Sequence, residues 1–348
     1  MDLASAQRLW DVRSAWLNTA QYGIPPRPAH EALQAAVDTW RHGTGGPGAW
    51  GAATETARAA FAELVGADRE DVVHGSATSQ ILGTIAAAVP DGARVVVPEV
   101  EFTSNLYPWL AQADRGVEVV TVPLAKLADA IDHRTWLVAF SLVQSAGGEI
   151  APVADVLAAA RRHGTLVSVD ATQGVGWLPL NATDFDAVVC SCYKWLMAPR
   201  GIAFGYLSPR LRSVMRPHNA GPMAAADPMG AFYGPDMQLA EGASRFDISP
   251  AWFAAVGAAA SIRVLADVGV ERVHAHNVAL ANRFLAGLDL PPGESAIVSV
   301  DAPPGTSDRL AAAGIWTSER DGRLRVACHL YTTEEDVDRA AEALRATR

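Results

Sequence analysis

Two side chains with reactive groups follow neighbouring strands of a predicted sheet. Asp170 comes directly after the apolar segment 165–169, and Lys194 follows the segment 187–190 after a short turn. In an open α/β sheet, ligands bind beyond the carboxyl ends of the strands, and an acid and a lysine are therefore expected side by side there. Each residue alone also has a structural explanation: Asp170 as a turn cap, and Lys194 as a strand-end lysine that reaches water.

A third element is the run Gly75-Ser76-Ala77-Thr78-Ser79, which follows a strand and opens a predicted helix. The N–H groups and hydroxyls of a helix N-terminus can bind a phosphate dianion, although such a run is more often an ordinary N-cap. Pyridoxal 5′-phosphate (PLP) needs a lysine for its Schiff base, a carboxylate that keeps the pyridine nitrogen protonated, and a phosphate pocket. The three elements together predict a PLP enzyme in which Lys194 carries the cofactor and Asp170 holds the pyridine nitrogen.

The elements that must position these residues alternate along the chain. Short Val/Ile-rich runs and Ala-rich segments of helical period predict a mostly parallel sheet covered by helices. The predicted strands are 71–73, 93–98, 117–122, 136–143, 165–169, 187–190 and 202–207, with helices that begin near Ser76, Thr103, Val153 and Lys194. A second alternation has strands at 296–300 and 324–327 after two helices over 251–287. We therefore predict an α/β chain with an N-terminal arm and large cofactor domain (1–245) and a smaller C-terminal α+β domain (246–348).

Two irregular segments are also expected. The Gly-rich stretch 43–51 is predicted to form a loop between two helices. The Pro- and Gly-rich segment 216–249 is long for a simple loop and is expected near the active site. Trp50, Tyr22 and Arg245 are candidates to line the substrate pocket.

Composition limits the partners. The net charge of −10 and the pI near 5.4 leave no basic stripe for nucleic acid or an anionic membrane. The N-terminus lacks the pattern of a signal peptide, and no apolar run has spanning length, which predicts a soluble, cytoplasmic protein. Three cysteines are too few for a disulfide framework or a zinc site, and His274 and His276 point to different faces of a helix; no metal site is expected.

Longer motifs resemble a known family. The stretches Val169-Asp170-Ala171-Thr172-Gln173, Cys190-Ser191-Cys192-Tyr193-Lys194-Trp195 and Pro199-Arg200-Gly201 resemble the core of class V aminotransferases. The similarity extends from Trp16 to Asp336. That family has the fold type I architecture of PLP-dependent transferases and includes cysteine desulfurases, isopenicillin N epimerase-like proteins, kynureninase and the C–S lyase of ergothioneine biosynthesis. The resemblance also implies a homodimer with active sites at the subunit boundary.

The resemblance implies roles for further residues. Gln173 would donate a hydrogen bond toward the phenolic oxygen of PLP, Phe102 would stack on the pyridine ring, and Arg325 would bind the substrate α-carboxylate. The alternatives are a core position for Phe102 and a solvent-facing arginine on an edge strand for Arg325. The positions that match phosphate-binding residues are Ala77, Thr78 and Ser191, with Tyr193 in place of a common histidine and Ser249 directed to the phosphate of the neighbouring subunit.

Two departures from the family pattern affect the chemistry. Ser145 stands where many relatives have an asparagine that touches the cofactor ring. Phe102 replaces a histidine and cannot act as an acid or base, which leaves Lys194 as the only obvious group to carry a proton.

Three functions remain open. The first is a PLP enzyme that deprotonates Cα of a small amino acid and then transaminates it or eliminates a β-substituent such as a thiol. The second is a racemase or epimerase, which needs a second proton donor that the sequence does not identify. The third is a binding protein without catalysis. A persulfide-forming desulfurase is not expected, because the segment 314–324 before Arg325 contains no cysteine.

Overall fold

A computed structural model describes residues 1–346. The helices are α1 (Leu3–Gln7), α2 (Arg27–His42), α3 (Pro47–Val65), α4 (Thr78–Ala86), α5 (Thr103–Leu110), α6 (Val153–His163), α7 (Pro209–Arg212), α8 (Trp252–Val268), α9 (Val270–Ala286), α10 (Thr306–Ala312) and α11 (Glu334–Arg345). The strands are β1 (Ala15–Trp16), β2 (Val72–Gly75), β3 (Arg94–Pro98), β4 (Glu118–Val122), β5 (Thr135–Ser141), β6 (Leu166–Asp170), β7 (Ala187–Ser191), β8 (Ala203–Leu207), β9 (Ile297–Val300), β10 (Ile315–Trp316), β11 (Ser318–Arg320) and β12 (Arg323–Ala327).

The larger sheet has seven strands in the order β2-β8-β7-β6-β5-β3-β4. Only β8 runs against its neighbours, since it pairs antiparallel with both β2 and β7. The central strands β6, β7 and β8 are buried along their whole length, as expected for a sheet with helices on both faces. The predicted mixed, mostly parallel α/β sheet is confirmed, and each predicted strand differs from the observed one by at most two residues at either end.

Two local predictions were wrong. No helix begins near Lys194: the chain after β7 forms turns, because Met197 has a left-handed φ of 54° and Pro199 cannot donate a helical hydrogen bond. The stretch 43–51 is not all loop, since α3 already begins at Pro47, whose fixed φ suits the first turn of a helix. Gly43 ends α2 in the left-handed conformation that favours glycine.

The C-terminal region forms a three-stranded antiparallel sheet in the order β11-β12-β9. The N-terminal arm joins this region, because β1 pairs in parallel with β10 and Asn18 forms a parallel bridge with Ala327. The domain boundary at residues 245 and 246 stays a prediction. Within residues 1–346, no single helix is long and apolar enough to cross a membrane; α8 and α9 together meet that test, but they bend by 85° at their junction.

Candidate active site

The carboxyl ends of β6 and β7 open into a pocket of about 610 Å³, counting its open mouth. Seven of the nine predicted site residues line this pocket: Ala77, Thr78, Phe102, Asp170, Gln173, Ser191 and Lys194. The other lining residues are Ser76, Ser79, Ser104, Ser141, Ser145, Thr172, Tyr193 and Arg200. The sheet therefore brings together the residues that sequence motifs had predicted from separate parts of the chain.

Lys194 lies in the turn after β7, and its side chain is almost completely buried. Its Nζ atom lies 5.4 Å from the centre of the Phe102 ring and 5.7 Å from that of Tyr193. Burial lowers the pKa of Lys194 to about 8, although the charge of Asp170 opposes this shift. At neutral pH a larger fraction of this amine is unprotonated than for an exposed lysine, which favours bond formation with a carbonyl carbon.

Asp170 is the last residue of β6 and is held by the residues that follow it. Its Oδ1 atom accepts a hydrogen bond of 2.9 Å from the backbone N–H of Thr172. Burial raises the pKa of Asp170, while Thr172 and the more distant charge of Lys194 lower it less strongly. A buried carboxylate whose charged form is disfavoured by burial is stabilised by a cationic N–H donor, and a protonated pyridine nitrogen is such a donor.

A hydroxyl network forms the floor at the N-terminus of α4. Thr78 Oγ1 lies 2.8 Å from Ser191 Oγ and 3.0 Å from Thr172 Oγ1, and Thr78 N donates to Ser191 Oγ. Ala77 is the N-cap of α4, and no side chain caps the helix there. The helix N-terminus and the hydroxyls of Ser76 and Ser79 face the same pocket. This arrangement suits a phosphate dianion.

Glu101 is a buried carboxylate behind the pocket that the sequence analysis did not identify. Its side chain accepts hydrogen bonds from Ser141 Oγ, from Ser141 N at 2.6 Å and from Phe102 N at 2.9 Å. Ser141 pairs with Asp170 across β5 and β6. Glu101 therefore connects the backbone of Phe102 to the strand beside Asp170, and burial raises its pKa. Phe102 itself is half-exposed at the pocket and is not a core residue.

Arg325 lies behind Ser145 and Gln173 and is completely buried rather than solvent-facing. Its Nε donates to Ser318 Oγ at 3.2 Å, and its Nη1 donates to the carbonyl and hydroxyl oxygens of Ser145. Gln173 Nε2 donates to the same hydroxyl at 3.2 Å. The remaining nitrogen, Nη2, is buried without a partner in the described residues, and Arg325 itself is not among the residues that line the pocket. Burial lowers the pKa of Arg325 to about 10.

Ser249 does not line the pocket, and its side chain is exposed. A buried ionic cluster holds the segment before it: Arg58 Nη2 lies 2.5 Å from Asp247 Oδ2, and His74 N donates to Asp247 Oδ1. His74 Nε2 also bonds to the carbonyl of Ile248 at 2.7 Å. The segment 216–249 thus contacts β2, which leads into the turn before α4, although none of its residues, Arg245 included, lines the pocket.

Of the other two residues predicted to line the substrate pocket, Tyr22 and Trp50, only Tyr22 lies at a cavity near the active site. Tyr22 lines a second cavity that shares Tyr193 and Arg200 with the first. Trp50 instead packs in the helical layer against Trp252 and Phe253 and lines neither cavity.

The residues present fit PLP on three independent features. Lys194 is a buried amine of lowered pKa, Asp170 is a buried carboxylate with room for a cationic partner, and α4 has an uncapped N-terminus surrounded by hydroxyls. Gln173 Oε1 accepts a hydrogen bond from Trp195 Nε1 at 2.8 Å, and Gln173 Nε2 donates to the carbonyl of Ala20 at 3.0 Å and to Ser145 Oγ at 3.2 Å, so both of its hydrogens have protein acceptors. Lys194, Asp170 and the α4 turn would thus hold the aldehyde, the ring nitrogen and the phosphate respectively.

Comparison with known proteins agrees with this geometry. The family model for aminotransferase class-V matches residues 43–307. This chain belongs to the class-V aminotransferase family. It is 29% identical to isopenicillin N epimerase of Streptomyces clavuligerus over 83% of each protein, and 26% identical to the uncharacterized aminotransferase YcbU of Bacillus subtilis over 84% of this chain and 83% of YcbU. It is also 29% identical to a cysteine desulfurase of Dickeya dadantii, over 68% of this chain and 61% of that protein.

Solved structures share the fold of this class-V protein. The cysteine desulfurase CsdA of Escherichia coli aligns with a TM-score of 0.86 at 21% identity, covering 100% of this chain and 98% of CsdA. The cystine C–S lyase C-DES, solved with cysteine persulfide, aligns with a TM-score of 0.86 at 22% identity, covering 96% of this chain and 97% of C-DES. The predicted family, the fold type I architecture, an enzymatic function and PLP as the cofactor are thereby confirmed. The roles of individual residues stay predictions.

Proposed function

We propose that this class-V enzyme is a β-eliminating C–S lyase that acts on an S-substituted cysteine. Water and the substrate would give a thiol, pyruvate and ammonium, with no net oxidation or reduction. The relatives named as cysteine desulfurases support chemistry at the C–S bond of a cysteine-type amino acid. Transamination of a small amino acid is the competing outcome, since both reactions begin with the loss of the α-proton.

The side chains of this protein have separate tasks in the proposed reaction. The free Nη2 of Arg325 would hold the α-carboxylate and so fix the orientation of Cα. The amine of Lys194 would take the α-proton, which its lowered pKa favours near neutral pH. When PLP is bound, it supplies the electron sink for the charge that develops at Cα. Asp170 would keep the ring nitrogen of that sink protonated.

The burial of all three cysteines is the observation that carries the proposal. Cys190, Cys192 and Cys328 are 1% exposed or less. Burial raises the pKa of Cys190 and Cys192, and it raises that of Cys328 to about 12. A buried thiol with a raised pKa is a poor nucleophile and cannot reach a substrate sulfur. Cleavage of the C–S bond would therefore release the sulfur as a free thiol, because no cysteine of the chain can take it up.

The test is to incubate the holoenzyme with cysteine and with S-alkyl and S-aryl cysteines. We expect thiol, pyruvate and ammonium in equal amounts, and no persulfide on the protein. Alkylation of the native protein with iodoacetamide should leave turnover unchanged, because the thiols are inaccessible. Persulfide formation at the rate of turnover would contradict the proposal. Stoichiometric pyridoxamine phosphate and a keto acid would establish transamination instead.

Epimerisation is a second candidate because the family relatives include isopenicillin N epimerase. Few residues of the pocket could act as a second proton donor. Its lining residues with titratable side chains are Asp170, Tyr193, Lys194 and Arg200. Two aromatic rings lie near Lys194 Nζ: Phe102, which carries no acidic proton, and Tyr193, whose phenol is the one candidate for a second donor among these four residues. Inversion at Cα in deuterated water without release of pyruvate would establish this reaction.

We also propose that the enzyme is a homodimer in which Ser249 contacts the phosphate bound by the other subunit. The exposed side chain of Ser249 and the buried cluster around Asp247, which holds its segment rigid, support this. Sedimentation should give the mass of a dimer, and Ser249→Ala should weaken PLP binding about tenfold, because a hydrogen bond to a charged group is lost. Ser213→Ala, at another exposed serine, should leave binding unchanged. A monomer with intact PLP affinity would exclude the contact.

A further inference from the structure

A row of three aromatic rings, of which Tyr22 lines the cavity next to the active-site pocket, has no part in the chemistry above. Trp16 is in the middle, with its ring centre 4.4 Å from that of Tyr22 and 5.9 Å from that of Trp316. Trp16 is buried, but Tyr22 and Trp316 are each 45% exposed. The two outer rings therefore present apolar surface to a ligand or to solvent, which costs stability unless something covers it.

The backbone holds this row in place. Trp16 and Trp316 are partners in the parallel pair β1 and β10. Trp16 Nε1 donates to the carbonyl oxygen of Tyr22 at 3.1 Å, which fixes the third member. Rings that are already ordered lose little conformational entropy when a planar group packs on them.

The Tyr22 end of the row adjoins the loop that carries Lys194. Gln173 Nε2 donates to the carbonyl of Ala20 at 3.0 Å, and Gly23 N donates to the carbonyl of Tyr193 at 2.9 Å. The approach at Gly23 is so close that a Cβ atom there would lie 2.1 Å from the carbonyl oxygen of Lys194. Tyr22 is thus one residue from a backbone contact with the catalytic loop.

The Trp316 end adjoins the proposed carboxylate site. Ser318, two residues after Trp316, accepts the hydrogen bond from Arg325 Nε. Between these ends, Asn18 Nδ2 donates to the carbonyl of Thr317 at 3.2 Å. Asn18 Oδ1, Thr317 Oγ1 and Arg325 Nη2 are all buried without a hydrogen-bond partner among the described residues. Arg325 Nη2 is the polar contact of the proposed carboxylate site, and the exposed rings would supply an apolar contact, so the ligand would have both a polar end and an apolar end.

A mainly apolar cavity continues the surface beyond Tyr22. Its walls include Tyr22, Leu33, Met197 and Pro199, and it shares Tyr193 and Arg200 with the cofactor pocket. The Arg200 guanidinium lies 5.1 Å from the centre of the Tyr193 ring, and both residues line both spaces. A substituent that extends from the substrate sulfur would therefore leave the polar site along aromatic and apolar walls.

We propose that the row Tyr22–Trp16–Trp316 recognises an aromatic ring on the sulfur of the substrate, so that the preferred substrates are S-aryl or S-arylmethyl cysteines. The inference rests on the proposed C–S lyase function. Arg325 would bind the α-carboxylate, and the faces or edges of Tyr22 and Trp316 would pack on the ring. Small S-alkyl cysteines would use the same polar contacts without this packing.

The test compares S-benzylcysteine with S-methylcysteine in four variants of the holoenzyme. For the wild type we expect a kcat/KM ratio of about tenfold or more in favour of S-benzylcysteine. Trp316→Ala and Tyr22→Ala should each lower that ratio by about fivefold, and Trp316→Phe should largely restore it. Trp40→Ala is the matched control, because Trp40 is also exposed and ring-packed, against Phe253 in the helical layer.

Measuring the binding of the two conjugates without turnover tests the aromatic site independently of the proposed lyase activity. Equilibrium dialysis with borohydride-reduced holoenzyme, which cannot turn over substrate, should show the same preference for S-benzylcysteine and its loss in Trp316→Ala. If no cysteine conjugate releases a thiol but this binding preference holds, the lyase proposal fails and the aromatic site stands. Equal kcat/KM for both conjugates in the wild type would overturn the aromatic site. The aromatic site would also be overturned if the Trp316 and Tyr22 variants lowered kcat/KM equally for both conjugates. The same holds if these variants dissociated the protein into smaller species.

Discussion

Replacing Lys194 with alanine should abolish covalent retention of PLP and lower turnover by about 10⁴-fold, because the same amine binds the cofactor and moves the α-proton. Borohydride reduction followed by peptide mapping should place the cofactor on the peptide that contains Lys194 in the wild type. The sequence has one other lysine, Lys126, which is exposed and ion-paired with Asp129. Lys126→Ala is therefore the control and should behave as the wild type.

The pH dependence of cofactor capture gives this prediction a second measurement. Because burial lowers the pKa of Lys194 to about 8, the neutral amine becomes the main form above that pH. The rate at which the apoenzyme captures PLP should rise about tenfold per pH unit below pH 8 and level off above it. A rise that continues toward pH 10 would show an ordinary lysine. Labelling at Lys126 would contradict the assignment itself.

Replacing Asp170 with asparagine should leave PLP bound through Lys194 and the phosphate site but lower kcat by about 10³-fold. The amide cannot keep the pyridine nitrogen protonated, and several kcal/mol of carbanion stabilisation are lost. The measurement is kcat together with the absorption spectrum of the bound cofactor, which reports the protonation of the ring.

Asp186 provides a matched control for this variant. Asp186 is also a buried carboxylate of the same sheet, but it precedes β7 and accepts hydrogen bonds from Val167 N and Ser208 Oγ. Asp186→Asn should lower the melting temperature without changing kcat or the spectrum of the folded protein. If Asp170→Asn has the same kcat as the wild type, Asp170 has a structural role only.

The reactive centre could be predicted because its geometry follows from sheet topology. Asp170 ends β6 and Lys194 follows β7; these strands pair in parallel, and the carboxyl ends of paired parallel strands lie at one edge. Val/Ile-rich runs located the strands of the seven-stranded sheet to within two residues at either end. The turn at Lys194 was missed because its apolar Trp-Leu-Met-Ala sequence favours a helix, whereas the left-handed Met197 and the following proline stop one.

Contacts between distant, irregular segments could not be predicted. The sequence around Glu101 is typical of an exposed loop, and only the fold shows that Glu101 is buried against Ser141. The pair of β1 and β10 joins two-residue strands that lie 300 positions apart, too short to leave a periodic signal. The local sequence around Arg58 predicts an exposed arginine on a helix, but Arg58 is buried and ion-paired with Asp247. Long-range polar partners of this kind depend on the whole fold rather than on local pattern.

The pairing of the N-terminal arm with the C-terminal strands determines when the site can form during translation. Ala15 and Trp16 pair with β10, and Asn18 bridges to Ala327, so the paired residues lie about 300 positions apart in the sequence. At about 5 to 20 residues per second, the arm waits many seconds on the ribosome for these partners. The large sheet and the lysine loop can fold earlier, but the aromatic row and the Arg325 site cannot. A nascent chain can thus acquire its cofactor pocket before it can select a substrate.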